Sequence, residues 1–191
     1  MSNPDIRSYR TIAGWCNAAN EWRACPLLRR IQRGTRLAAP AAVLAIGSSC
    51  RMRFSPVEGS RGLLSPTDWR YTVMKGGTGP RHLIFDKSGT HAYLTQELSA
   101  TVTVFDYAAG RLMQCQVVPL SAPGFRGKVG GGAIHLSPDG RFLYATHRGD
   151  ANEIVIYSVG ADNGRLGLVG RQSSLGSAPR EFRIDPRAGG G

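Results

Sequence analysis

The stretch Gly79–Glu97, GPRHLIFDKSGTHAYLTQE, reads as strand, turn, strand. Leu83, Ile84 and Phe85 form a short apolar strand. Asp86-Lys87-Ser88-Gly89 is a turn, with Gly89 where a positive φ is wanted. His91–Thr95 alternates as a second strand. The stretch then returns. IHLSPDGRFLYATHR, Ile134–Arg148, lies over Leu83–Glu97 at an offset of 51, turn on turn and Tyr144 on Tyr93.

The segments after each copy repeat as well. ATVTVFDY, Ala100–Tyr107, is a third strand, β-branched, with Val102 and Val104 on one face and Thr101 and Thr103 on the other. RLMQCQVVPL, Arg111–Leu120, is a fourth. NEIVIYSV, Asn152–Val159, lies over the third strand, and GRLGLV, Gly164–Val169, over GRLMQC. A third copy opens with PREFRID, Pro179–Asp185, over PRHLIFD. A four-strand unit recurring at about 50 residues marks a β-propeller blade. A sandwich explains neither the returning turn nor the returning Gly-Arg-Leu. The fold predicted is all-β: a partial propeller of two four-stranded antiparallel blades over about residues 80–178, plus the start of a third. A closed propeller typically takes about four to eight blades.

Residues 1–70 differ in character. They hold eleven arginines, no lysine and four acids, whereas residues 71–191 hold thirteen basic residues against nine acids. Most of the net charge of +11 therefore belongs to this leader. No sustained apolar period runs through it, although Glu21–Ile31 could wind a short helix. Arg, Cys, Trp, Ala and Pro without Lys is also what a GC-rich gene yields when translated in a shifted frame. The chain is thus divided into an irregular basic leader over 1–70, disordered or mis-framed, and an incomplete propeller domain over 71–191. A basic arm can attract nucleic acid or anionic lipid, but no RNA-module pattern is present, so no specific nucleic-acid partner is expected.

Cys16, Cys25, Cys50 and Cys115 form no C-x-x-C pair, so the sequence supports neither a zinc site nor a thioredoxin-type motif, and a reducing compartment is the milder reading. No apolar run reaches the roughly 18 residues of a membrane span, so no membrane partner is expected. Leu37–Ile46 (LAAPAAVLAI) follows Arg29-Arg30 and two further arginines, in the order of a twin-arginine export signal, but the basic pair starts deep in the chain. Cytoplasm is the first reading; export through a cryptic signal near 29–50 is the alternative.

GTGPRHLIF, AYLTQELSATVTVFDY, IHLSPDGRFLYATHRG and SAPREFRIDP together resemble the seven-bladed propeller lactonases. This is the 6-phosphogluconolactonase family, which also includes fungal carboxy-muconate lactonizing enzymes. The resemblance covers about Lys75 to Asp185. It implies a hydrolase of the pentose phosphate route acting on a small anionic lactone, with no metal or organic cofactor. It places the site at one end of the central channel. An arginine follows the blade-opening proline, a glutamate ends the next strand, and an arginine stands at the matching strand end of the next blade. Those positions hold Arg81, Glu97 and Arg148. His82, His135 and Arg180 are the further residues expected against substrate. Gln96 and His147 stand where the family usually has Asn, and the histidine the family carries on an earlier blade has no counterpart here.

The chemistry suits these residue types. An arginine fork meets phosphate or carboxylate with two parallel hydrogen bonds, and lactone hydrolysis needs such a clamp, a proton carrier and a stabilised oxyanion. Two other readings stay open at this point. A non-catalytic propeller could present a binding surface, since AYLTQE and LYATHR also resemble the Tyr-Val-Thr-Asn repeats of surface-layer propellers; muconolactone could also replace the sugar lactone. Two blades leave two apolar faces uncovered, so the 191-residue chain is expected to self-associate and to be inactive.

Overall fold

The computed structural model describes strands at 42–46, 51–58 and 63–64 by their backbone, and residues 72–108 and 111–185 in full. The chain divides into two units, one of Met1–Met74 with Ala109–Arg111 and the other of Lys75–Ala108 and Leu112–Gly191.

The first unit carries a four-stranded antiparallel sheet. Its strands are β1 (Ala42–Ile46), β2 (Arg51–Glu58), β3 (Leu63–Leu64) and β4 (Thr72–Val73). β2 pairs with all three others. The strands at 42–46, 51–58 and 63–64 fall within the span read as an irregular leader through residue 70. The signal was weak because two of the four strands are only two residues long and show no alternation. β1 occupies the second half of the apolar run weighed as an export signal. The helix weighed at Glu21–Ile31, and Cys16, Cys25 and Cys50, lie outside the described residues.

The second unit holds the two expected blades. In blade 1, β5 (Pro80–Phe85), β6 (His91–Gln96), β7 (Thr101–Ala108) and β8 (Arg111–Pro119) lie side by side in chain order. In blade 2, β9 (Gly131–Leu136), β10 (Phe142–His147), β11 (Glu153–Val159) and β12 (Leu166–Ser173) repeat that order. The two predicted turns close alike. Gly89 (φ 72°) and Gly140 (φ 77°) both adopt the left-handed conformation, donating to Asp86 O at 3.2 Å and to Ser137 O at 2.9 Å. Asp86 Oδ1 then accepts the Thr90 N–H, as Asp139 Oδ1 accepts the Arg141 N–H.

The blades share one core. Tyr93, Val102, Val104 and Leu120 of blade 1 pack with Ile134, Leu143, Ala145, Val155 and Tyr157 of blade 2. Each such large side chain contributes about 1.5–3 kcal/mol by leaving water. Two tyrosine hydroxyls cross the seam: Tyr93 Oη donates to Gly164 O at 3.1 Å, and Tyr157 Oη to Pro119 O at 2.6 Å. Burial drives the Tyr157 phenol up to about 12, so it stays a donor at any ordinary pH.

The third copy, Pro179–Asp185, forms no strand. In both blades the opening strand takes its ladder from the strand next after it, and the described residues stop at Asp185. The segment instead lies beside β9, where Glu181 and Phe182 meet His135.

Candidate active site

β5 opens with Pro80, so Arg81 is the first residue with a side chain long enough to reach the end of β6. There it meets Glu97, which directly follows Gln96. Arg81 NH1 donates to Glu97 Oε2 at 2.8 Å, and the Arg81 side chain is only 8% exposed. Its Nε–H is buried with no partner. Arg148 directly follows β10, and its NH2 donates to the other oxygen, Glu97 Oε1. The Arg148 Nε–H also donates to Gly131 O at 3.1 Å. Two guanidiniums from adjacent blades therefore grip one carboxylate, which is 25% exposed. The cluster carries a net charge of +1 and faces solvent, which favours an anion there.

Backbone contacts bring the blades this close. Glu97 N–H donates to Gly79 O at 2.6 Å, and Glu97 O accepts from Gly131 N–H at 2.8 Å. Arg148 N–H donates to Gly130 O at 2.6 Å. A methyl group on Gly131 would lie 2.7 Å from Gln96 O. Only glycine lets β9 pass the end of β6 at this distance.

The electrostatics follow the geometry. Burial alone would raise the Glu97 carboxyl. The hydrogen bond and charge of Arg81, then those of Arg148, outweigh burial and hold the group below the usual carboxylate range. His82, next along β5, is pushed down chiefly by burial and then by the Arg81 charge. Its imidazole is therefore neutral near pH 7.

The structure brings Arg81 and Arg148 onto the one carboxylate of Glu97. Arg148 pairs across the seam rather than with Asp150, whose carboxylate takes the Lys128 N–H. His135 sits further along β9, with Nε2 2.7 Å from Glu181 Oε1 and its ring edge-on to Phe182 at 4.7 Å. Arg180 is exposed. His91 is half-buried, bound to Asp86 Oδ2 at 3.0 Å beneath Gly164.

Two features went unread in the sequence. One is Glu181, whose offset of 99 puts an acid in register with His82; the register was legible, but the neighbouring arginine was the residue singled out. The other is the partner set of His147, made of residues from three separate segments. Among the described residues, no group of three or more His, Cys, Asp or Glu side chains could hold a metal ion. No helix among them is long and apolar enough to cross a membrane.

The family described as "Lactonase, 7-bladed beta-propeller" matches residues 51–189, starting well before the expected boundary at residue 70. A 6-phosphogluconolactonase of Formosa agariphila is 34% identical over 145 residues, which are 74% of this chain and 40% of that protein. One from Bacillus subtilis is 38% identical over 115 residues, 59% of this chain and 33% of that protein. Among solved structures, the Pseudomonas aeruginosa periplasmic gluconolactonase PpgL superposes with a TM-score of 0.70 at 42% identity, over 76% of this chain and 40% of that one. The chain thus spans about two fifths or less of the length of these relatives.

Proposed function

The chain belongs to the seven-bladed β-propeller lactonase family, and from that premise we propose that the whole protein hydrolyses an anionic sugar lactone of the 6-phosphogluconolactone kind. The observation that carries this reading is the Arg81–Glu97–Arg148 cluster. In the reaction, water adds to the lactone carbonyl, the tetrahedral oxyanion collapses, and the ring C–O bond breaks. The ring oxygen gains a proton and the product is an open-chain carboxylate. Guanidinium donors at the developing oxyanion, or on the substrate phosphate, supply the electrostatic part of the catalysis. A carboxylate held as low as Glu97 is a weak base, so its role is to set the two arginines and orient the attacking water. The neutral imidazole of His82 is the better proton acceptor. His135 and Arg180 extend the substrate surface in this reading.

An unphosphorylated gluconolactone is the second reading, favoured by the name of the 42%-identical periplasmic relative. The cytoplasm remains the proposed compartment, with that relative as the reason to fractionate cells before accepting it. For the 191-residue chain by itself we propose no activity, because the channel takes more blades than it holds.

The test is proton release from 6-phosphogluconolactone, gluconolactone and muconolactone, above the uncatalysed rate. It uses the 191-residue chain and the chain joined to any further blades its gene encodes. Arg148→Gln in the active form lowers kcat/KM by about 10²–10³, the typical cost of losing one oxyanion donor. Turnover that is absent with all three lactones in every form overturns the reading and leaves the non-catalytic propeller.

A further inference from the structure

Arg148, whose side chain the proposed function places against substrate, follows a residue the reaction does not use. His147 ends β10 and is fully buried. Its Nδ1 lies 3.4 Å from Glu153 Oε1, its register partner on β11. Its Nε2 lies 3.4 Å from Ser121 Oγ, and the Phe125 ring covers it edge-on at 5.3 Å. The same Glu153 Oε1 also accepts from Arg171 NH1 on β12, at 2.5 Å. Arg171 NH1 in turn reaches Leu120 O, at the end of blade 1. The set therefore ties blade 2 to blade 1 beside the seam that Glu97 and Arg148 close.

The matching place on blade 1 is built differently. Gln96, directly before Glu97, gives its amide to Thr101 and Thr103 hydroxyls. That set carries no charge. On blade 2, a carboxylate and a guanidinium face an imidazole, and one carboxylate oxygen serves both. With Glu153 ionised, Nδ1–H donates to it, and Nε2 is left to accept the Ser121 hydroxyl proton. We infer that His147 is a positioning residue for Arg148: its neutral ring, held by Glu153 and Ser121, fixes the end of β10, and protonating it releases that end. This rests on the reading of Arg148 as a substrate-binding residue.

The physical reason is competition. A protonated ring must donate from both nitrogens, so Ser121 has to turn. A second cation then faces Glu153 Oε1 beside Arg171, away from water. Glu153 and Arg171 are the charged groups that meet the ring; Ser121 and Phe125, from the β8–β9 connection, bring none. Burial already pushes the imidazole below its ordinary value, and Arg171 adds to this, against the pull of Glu153. Protonation is therefore resisted until the end of β10 moves, and the backbone that moves continues into Arg148.

The test compares two amides in one molecule by hydrogen exchange with mass spectrometry, on the 191-residue chain between about pH 7.5 and 5. Arg148 N–H donates to Gly130 O and Glu97 N–H to Gly79 O, at equivalent places on the two blades. After correction for intrinsic rates, protection of Arg148 relative to Glu97 falls roughly tenfold as His147 becomes protonated. His147→Asn and His147→Gln remove that pH response. A ratio that stays constant in the wild-type chain overturns the inference, and so does an unchanged response in both variants. The wild-type titration decides even where a variant fails to fold. Binding of 6-phosphogluconate to the chain joined to any further blades its gene encodes, followed by calorimetry in parallel, separates the two readings. No binding at any pH, with the exchange response intact, counts against the proposed function alone. Binding whose acid limb is the same in wild type and His147→Asn counts against the positioning role alone.

Discussion

Glu97 holds two guanidiniums at once, so its loss leaves Arg81 and Arg148 facing each other with nothing between them. Glu97→Gln keeps the shape and removes the charge. Charge-assisted hydrogen bonds contribute about 1.5–3 kcal/mol each, but a quarter of this side chain meets water, so the expected cost is about 1–2 kcal/mol in all, read from the urea midpoint. The pH sign follows from the lowered carboxyl. Above the unfolded value of about 4.5 the unfolded chain and the folded one are both ionised, and the stabilisation is whole. It is lost as pH falls through the lower folded value, so Glu97→Gln flattens that part of the acid limb. The alignment of Glu97 with Arg148 was legible as an offset of 51, because a blade repeats its strand ends as faithfully as its turns. The glycines that let the strands touch were visible only as composition. Gly149, next after Arg148, is a case: its φ is 75° and a methyl group there would collide with Lys128 O. Gly149→Ala is expected to cost about 2–4 kcal/mol from a left-handed backbone plus overpacking. Gly170→Ala, with open space around it, is expected to change the midpoint little.

At the scale of the strand, repetition made the blades readable, and the seam decides their stability. Each strand of both blades was predicted within a few residues, since the β-branched alternation and the Gly-centred turns agree with each other. Pro179–Asp185 was predicted as a strand from its motif alone, but a strand exists only with its ladder partner. The sheet at 42–73 was missed for the opposite reason: its pairing is there, while its shortest members carry no pattern. The tyrosine contacts of the seam were not legible, since they join residues 71 and 38 apart in the chain. Tyr157→Phe tests one. The hydroxyl that leaves ends a hydrogen bond from a buried ring to Pro119 O, which water can then reach, at a cost of about 0.5–1.5 kcal/mol. Leu143→Ala, in the core beside it, is expected to cost about 2–5 kcal/mol. Thermal unfolding followed by circular dichroism orders the two, and a Tyr157→Phe midpoint equal to wild type would show the hydroxyl bond to be idle.

For the molecule as a whole, the repeat says what each face is for. Tyr93, Val102 and Val104 lie on the face of blade 1 turned toward blade 2, and all three are fully buried. Their counterparts on blade 2 are Tyr144, Ile154 and Ile156, at offsets of 51, 52 and 52. These sit on the other side of β10 and β11 from Leu143 and Tyr157, and they are only half-buried. An apolar face that is covered on one blade and open on the next is a surface suited to association, with a further blade or with another copy. The 191-residue chain, expressed alone, is therefore expected to form concentration-dependent oligomers in sedimentation velocity. Ile154→Thr with Ile156→Thr keeps the β-branched shape and wets the face, so it should shift the distribution toward monomer with little loss of stability. Val102→Thr with Val104→Thr places the same hydroxyls inside the seam, where nothing pairs them, and should cost several kcal/mol at roughly 1–3 per buried group. Oligomers that persist unchanged in the isoleucine pair would mean association uses another surface. A single monomeric species at all concentrations in the wild-type chain would mean that the open face is not sticky enough to drive association.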